Sequence, residues 1–226
     1  IATIQMDNGA TSGGVSDASG DVATLVLDNI AATAATLARK TDGSSDSLTI
    51  TDRGNTTTTV TVDDEETLTI GSATAAATIT TLNAADVTSI TITGDEDLTI
   101  GTIAGNLSLA TVDASASTGA VSVAASGNAS TTAMTYTAGS GGLTSEGTAK
   151  ADVMTGGAGV DSFDGNGGAD SATGAGGADD LDGGAGNDTL DGGAGADAMV
   201  AGAGNDSLTG GAGNDTFTLA ANYTTD

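Results

Sequence analysis

The sequence predicts an all-β chain wound as a parallel solenoid, and three observations predict it. Short runs in which Thr alternates with Ile, Val or Leu fill the first part of the chain. A nine-residue Gly/Asp unit then repeats without a break over residues 156–218. Only four residues of 226 are aromatic, Phe163, Phe217, Tyr136 and Tyr223, and nearly half of the 38% hydrophobic content is Ala, which is too little for a thick core. A chain of this kind buries its side chains against near neighbours, as stacked coils do.

The first region, residues 1–146, is rich in Thr, Ala, Ser and Gly. Its runs "SLTIT", "TTTTVTVD", "ETLTIG", "TSITIT" and "DLTIG" have the period of two that marks half-buried strands, with Gly, Asp and Asn turns between them. Pro is absent, and "IAATAATLARK" at 30–40 is the one stretch whose spacing also suits a helix. "VTVDDEETLTIG" (60–71) and "ITITGDEDLTIG" (90–101) share six of twelve positions at an offset of 30, and "TLNAAD" (81–86) echoes "TVDASA" (111–116). A fixed offset is the mark of coils stacked at that interval.

The second region, residues 147–226, is strictly periodic. Seven contiguous units, from "GGAGVDSFD" at 156 to "GGAGNDTFT" at 210, keep Gly at the fourth position and Asp at the sixth, and "GTAKADVMT" (147–155) opens the series in the same register. Each unit reads as a six-residue turn followed by a three-residue strand whose middle side chain points inward: Met154, Phe163, Ala172, Leu181, Leu190, Met199, Leu208 and Phe217. Glycine supplies the backbone angles and close approach that such turns need. Two units make one coil, and coils stack about 4.8 Å apart.

Composition removes several chemistries. With no His and no Cys, histidine or thiolate metal sites, disulfides, and Ser-His-Asp or Cys-His catalysis are excluded. The formal charge is −26, with four basic residues against 30 carboxylates, which repels nucleic acid and anionic membranes. Residues 1–150 contribute 4 − 17 = −13, and residues 151–226, with thirteen Asp and no basic residue, contribute another −13. No apolar run reaches the roughly 18 residues of a membrane span. The chain opens at Ile1 without Met or a leader, which suggests a fragment, a processed form or export without an N-terminal signal, and no C-terminal signal is recognisable in the eight residues after the last repeat.

Stacking sets Asp161, Asp179, Asp197 and Asp215 in one column and Asp152, Asp170, Asp188 and Asp206 in another. Unit charges about 4.8 Å apart repel by roughly 0.9 kcal/mol even in water. A cation between turns would relieve this, and calcium, a hard ion taking six to eight oxygens at about 2.3–2.6 Å, suits carboxylates and turn carbonyls better than magnesium.

The unit resembles the G-G-x-G-x-D-x-U-x nonapeptide of RTX proteins. That resemblance implies a right-handed parallel β-roll that holds several calcium ions and is unfolded without them. It also implies a ligand set for each ion: carbonyls of positions two and four with the Asp of one turn, and carbonyls of positions one and three with the Asp of the turn two repeats on. Carried over, Gly157, Gly159 and Asp161 face Gly174, Gly176 and Asp179; Ala175, Gly177 and Asp179 face Gly192, Ala194 and Asp197; and Gly193, Gly195 and Asp197 face Gly210, Ala212 and Asp215. On the other edge Asn166, Gly168 and Asp170 face Gly183, Ala185 and Asp188, while Gly184, Gly186 and Asp188 face Ala201, Ala203 and Asp206. Asn166, Ala175 and Ala201 replace glycines but keep their carbonyls. The opening pair departs furthest, because Thr148 and Lys150 stand beside Asp152, opposite Gly165, Gly167 and Asp170.

The text "LATVDASASTGAVSVAASGN" (109–128), leading through "YTAGSGG" into the repeats, resembles the Thr/Ala-rich region of bacterial RTX surface-layer and secreted matrix proteins. That resemblance implies a non-enzymatic structural protein of the cell surface, exported by a type I system, which polymerises into a lattice or filament in calcium. Cell-surface polysaccharide is a further candidate partner, and membrane insertion is not expected. Two other readings stand beside it. Thr-x-Thr triplets at 59–61, 67–69, 78–80 and 91–93 suit an adhesin or ice-binding solenoid if they share one face. "DDEE" (63–66) and "DED" (95–97) are the candidate acid/base constellations for a polysaccharide-modifying enzyme, on turns with no His, Trp or nearby Arg.

Overall fold

A computed structural model describes residues 2–6, 12–17, 23–27, 34–39, 47–52, 56–62, 67–72, 74–105, 108–124 and 132–219. Every strand pairing in it is parallel, and consecutive strands alternate between two sheets, so the chain winds as a β-solenoid. The 11-stranded first sheet takes Ala2–Met6, Ala23–Leu27, Ser47–Asp52, Thr67–Ser72, Ser89–Gly94, Thr111–Ser117, Thr135–Thr137, Val153–Thr155, Ser171–Thr173, Thr189–Ala194 and Ser207–Ala212. The 12-stranded second sheet takes Ser12–Asp17, Ala34–Arg39, Thr56–Val62, Ala77–Ala84, Leu98–Ile100, Val121–Val123, Leu143–Glu146, Ser162–Asp164, Asp180–Asp182, Ala198–Val200 and Thr216–Thr218, with Ile103–Ala104 added beside Ala77–Ala84. No helix occurs among the described residues. The helix-compatible stretch at 30–40 contributes the strand Ala34–Arg39, held between Ser12–Asp17 and Thr56–Val62. Neighbouring strands on both sides override a local preference for helix.

Alternation sets the faces as the sequence implies. Leu68 and Ile70, Ile90 and Ile92, and Leu98 and Ile100 are buried between the sheets, while the residues between them stay partly exposed. The coils, however, do not stack at an interval of 30. In the first region the ladder partners are closer in sequence and unevenly spaced: Ala23 pairs with Leu48, Ser47 with Thr67, and Thr67 with Ser89. Matching parts of the two echoing segments therefore fall on opposite sheets, since Thr67–Ser72 stacks under Ser89–Gly94 while Leu98–Ile100 lies across the core. The offset of 30 combines one coil, Thr67 to Ser89, with the short arc that leads on to Leu98 in the other sheet. Both sheets bury the same Leu-x-Ile pattern, so the echo reports a shared strand chemistry and not adjacency.

From Thr135, paired with Val153, and Thr144, paired with Ser162, the spacing locks at 18. The constant coil thus starts ahead of residue 147, and both sheets run without interruption through that point. Each short strand buries one central side chain, including Met154, Phe163, Ala172, Leu181, Leu190 and Met199. Tyr136 takes the same place one coil earlier and meets Phe163 edge-on, ring centroids 6.2 Å apart. Two members of the expected inward series differ: Leu208 is half-buried and Phe217 is 46% exposed. Both belong to the last coil, beyond which no further coil is stacked among the described residues. The Thr-x-Thr triplets do not share one face, because 67–69 and 91–93 lie in the first sheet and 59–61 and 78–80 in the second.

Candidate metal centre

The turns stack as the strands do. Parallel bridges join Gly167 to Ala185, Gly176 to Ala194 and Ala185 to Ala203. From Asn166 onward the second position of the turn has a left-handed backbone: Gly184 has φ 81° and Gly193 φ 91°, and where glycine is replaced Asn166 has φ 59° and Ala175 φ 68°. Asn tolerates this conformation, whereas for Ala it costs about 1 kcal/mol or more.

Each repeat Asp closes its turn and faces the core edge; Asp152, Asp161, Asp170, Asp179, Asp188 and Asp197 are all buried. The two columns form as the periodicity implies, and a donor absent from sequence reasoning links their members. The peptide N–H of each Asp donates to Oδ1 of the Asp one coil on: Asp152 to Asp170 at 2.7 Å, Asp170 to Asp188 at 2.8 Å and Asp188 to Asp206 at 3.0 Å. In the other column Asp161 donates to Asp179 at 2.8 Å, Asp179 to Asp197 at 2.9 Å and Asp197 to Asp215 at 3.1 Å. Met134 and Leu143 head the columns, donating to Asp152 and Asp161 at 2.5 and 2.7 Å.

The second carboxylate oxygen separates the repeats into two kinds. Oδ2 of Asp152 accepts the Thr148 N–H at 2.6 Å and the Thr148 hydroxyl at 3.1 Å, and Oδ2 of Asp161 accepts the Gly157 N–H at 2.8 Å. Oδ2 of Asp170, Asp179, Asp188 and Asp197 is buried with no hydrogen bond. A buried charged oxygen without a partner is costly, and these four oxygens look into similar spaces. A Cβ on Gly165 would lie 2.6 Å from both Asp170 Oδ2 and the Gly183 carbonyl oxygen. On Gly183 it would lie 2.6 Å from Asp188 Oδ2 and 2.8 Å from the Ala201 carbonyl oxygen. Gly174 repeats this with Asp179 and Gly192, and Gly192 with Asp197 and Gly210. The gap left by the absent side chain is thus bounded by a carboxylate oxygen and by a carbonyl of the next coil.

The carbonyls of positions two and three are engaged across coils. Gly157, Asn166, Ala175 and Gly184 accept N–H groups from Gly176, Ala185, Ala194 and Ala203, at 2.7 to 3.0 Å. Ala185, Ala194, Ala203 and Ala212 accept from Gly168, Gly177, Gly186 and Gly195 at 2.8 to 3.0 Å. Each keeps a second lone pair. The position-four carbonyls of Gly159, Gly168, Gly177, Gly186 and Gly195 lie where a Cβ on the next coil's turn would collide with them. Gly167 and Gly176, expected to offer carbonyls, donate their N–H groups to Gly165 and Gly174 at 2.7 and 3.0 Å.

Burial, with the Asp152 and Asp188 carboxylates close by, pushes the Asp170 carboxyl up to about 6, and burial likewise raises Asp161, Asp179 and Asp188. Outside the columns burial raises Asp182 too, with Asp164 and Asp180 adding to it. These are groups that resist ionising unless a cation joins them. No three acidic side chains gather at one point among the described residues. A bound ion must therefore draw most of its ligands from backbone carbonyls, an all-oxygen donor set that suits calcium.

Sequence reading placed Thr148 beside Asp152 but missed that its N–H and hydroxyl satisfy that carboxylate. It also missed Tyr136, whose hydroxyl donates to the Glu146 carbonyl at 2.5 Å and which burial makes harder to ionise. Thr148 departs visibly from the glycine of the repeat, but its bonds to Asp152 are not legible from that departure, and Tyr136 lies ahead of the repeats. Of the proposed enzymatic carboxylates, 63–66 lie outside the described residues, and Asp97 accepts the Ala120 N–H at 2.9 Å as part of a turn.

Among known families, the RTX calcium-binding nonapeptide repeat (4 copies) matches residues 144–172, 173–208 and 191–222. The match covers the regular coils and supports an RTX-type β-roll that binds calcium. Comparison with curated proteins and with solved structures gives no match.

Proposed function

We propose that this chain is a calcium-dependent structural protein of a bacterial cell surface or extracellular matrix, exported by a type I system and assembling into a lattice or filament once calcium is met. The observation that carries the calcium dependence is the set of buried, unpartnered Oδ2 atoms on Asp170, Asp179, Asp188 and Asp197, each beside a carbonyl of the next coil. The ions would be held by these carboxylates with Gly183, Gly192, Ala201 and Gly210, and by the remaining turn carbonyls of the RTX pattern; they would supply positive charge between stacked anionic turns. Ion-poor cytoplasm would leave the roll unfolded and exportable, because the metal-free turns carry uncompensated buried charge. An assembly role is supported by the repetitive all-β body, whose strands stack in register along two long parallel sheets. Cell-surface polysaccharide is the proposed anchor. Electron microscopy of the chain with millimolar calcium and with chelator tests the reading: ordered arrays or filaments only with calcium are expected, and dispersed particles in both would refute it.

A further inference from the structure

The two faces of the solenoid differ in a way that neither turns nor core require. Over the last nine strands of the 11-stranded sheet two columns run in register, and from Thr67–Ser72 onward they are the outward residues flanking a central buried one. One runs from Ser47 through Thr67 and Ser89 to Ser207, and every member is Ser or Thr except Val153. The other runs from Thr49 through Thr69 and Thr91 to Thr209, and every member is Thr except Asp113 and Asp191. The members from Thr67 onward are exposed or half-buried. The columns pass unchanged from the longer early coils, such as Thr67 to Ser89, to the shorter regular ones, such as Val153 to Ser171. The second sheet keeps one such column and not two: Thr78, Thr99, Ser122, Thr144, Ser162 and Thr216 run in register with Asp180 and Ala198 interrupting, while the column beside it carries Glu146, Asp164, Asp182 and Val200. A general preference of strands for Thr would act on both sheets equally, so the asymmetry calls for a partner on one face.

Three features identify the partner. The chain carries −26, so copies repel, and this face, with two carboxylates in two full columns, is where that repulsion is weakest. Each hydroxyl is both donor and acceptor, so the ladder is complementary to itself across a twofold axis. Only another solenoid of the same coil spacing stays in step along the ladder, as in zipper interfaces between identical stacked strands. Ice does not stay in step. Tetrahedral hydrogen bonds of about 2.75 Å place second-neighbour oxygens about 4.5 Å apart, against about 4.8 Å between strands, a drift of roughly 2.4 Å over eight steps. A sugar surface would want an aromatic platform, and these columns carry none.

We propose that the first-sheet hydroxyl ladder is the surface through which two copies of this chain meet, face to face. The proposal rests on the assembling function above and names its contact. The strip is about 38 Å long at about 4.8 Å per step, narrow for a stable dimer, so it suits one contact in a repeating assembly. The test compares the full chain in millimolar calcium with Thr137→Asp/Thr155→Asp on the ladder and Thr144→Asp/Ser162→Asp on the opposite sheet. Light scattering should show the wild type and the opposite-sheet variant assembling while the ladder variant stays monomeric, with equal calcium-induced circular dichroism in all three. Because the chain has no Cys, Thr137→Cys and Ser162→Cys give a second readout in minimally altered protein: a short bis-maleimide should link the first and not the second. Equal assembly of both Asp variants with equal cross-linking would overturn the ladder contact and leave calcium-dependent assembly standing. A wild type that never assembles would overturn both. Calcium-loaded monomer retained by ice or by insoluble polysaccharide through Thr137 and Thr155 would assign the ladder to that ligand and sink the proposal.

Discussion

The Thr/Ala-rich coils and the nonapeptide coils share two sheets and one winding, but different forces hold them. Strands such as Thr67–Ser72 and Ser89–Gly94 bury two aliphatic side chains each, and among the described residues the buried carboxylates begin only at Asp152. Fully burying one Leu or Ile contributes roughly 1.5–3 kcal/mol. A nonapeptide strand buries one apolar side chain, sometimes only Ala172, and sets a buried Asp beside it. The second aliphatic of the early strands has been exchanged for a group whose burial is unfavourable until a cation arrives. The comparison teaches that one backbone architecture can be self-sufficient in one stretch and conditional in the next. Asp152 and Asp161 mark the passage, since both their oxygens are satisfied by the protein itself.

The largest expected effect separates the two regions outright. In chelator, hydrogen exchange should show the coils from Ser171 to Thr218 unprotected while strands between Thr67 and Val123 stay protected; calcium should restore protection cooperatively. Uniform protection in both conditions would erase the distinction. Next in size, Ile92→Ala in the aliphatic core should cost about 2–5 kcal/mol with or without calcium, a loss that urea titration in chelator would read directly. In the proposed arrangement Asp188→Ala would remove a carboxylate that serves two ions, whereas Asp215→Ala would remove one at the end of its column. Calcium stoichiometry by calorimetry should fall further for Asp188→Ala, and equal losses would contradict the stacked arrangement.

Acidity sharpens the contrast with a defined sign. Asp170 has its folded value raised to about 6 from an ordinary 3.8, so protonation favours the metal-free fold. That stabilisation is complete below 3.8 and is lost as pH rises through about 6. Strand signal in chelator should therefore grow on acidification across that window, while calcium affinity, which needs the ionised carboxylates, should fall over the same range. The smallest effects are single-residue repairs. Ala175→Gly relieves a φ of 68° and should stabilise the calcium-loaded roll by about 1 kcal/mol. Ser145→Ala removes a buried hydroxyl that has no hydrogen-bond partner and should gain about 1 kcal/mol in denaturant midpoints.

Where a physical constraint recurs at a fixed interval, the sequence displayed it. The nine-residue unit revealed the central core residues, the two-unit coil and both Asp columns, because each turn must repeat the same backbone geometry. The earlier coils hid their stacking, since the steps from Ala23 to Leu48, from Ser47 to Thr67 and from Thr67 to Ser89 are all of different length and leave no common period. The offset of 30 misled for the same reason: strands on opposite sheets bury the same Leu-x-Ile pattern. Phe217 was misplaced because burial depends on a following coil, which a repeat count does not supply. Thr148 was invisible as the partner of Asp152, because its role arises from a departure from the motif and not from the motif.

Successive nonapeptides alternate between the two sheets, and this gives copy number a parity. Duplicating or deleting a pair of units would lengthen or shorten the roll and return every side chain to its own column. A slip of one unit would leave both Asp columns continuous and every turn intact, yet exchange the faces of everything downstream, setting residues such as Asp180 and Asp182 in line with Ser171 and Thr173. Calcium binding would scarcely register such a change, whereas any partner that reads one face would. Length variation in this kind of chain is therefore free in even steps and a change of surface identity in odd ones.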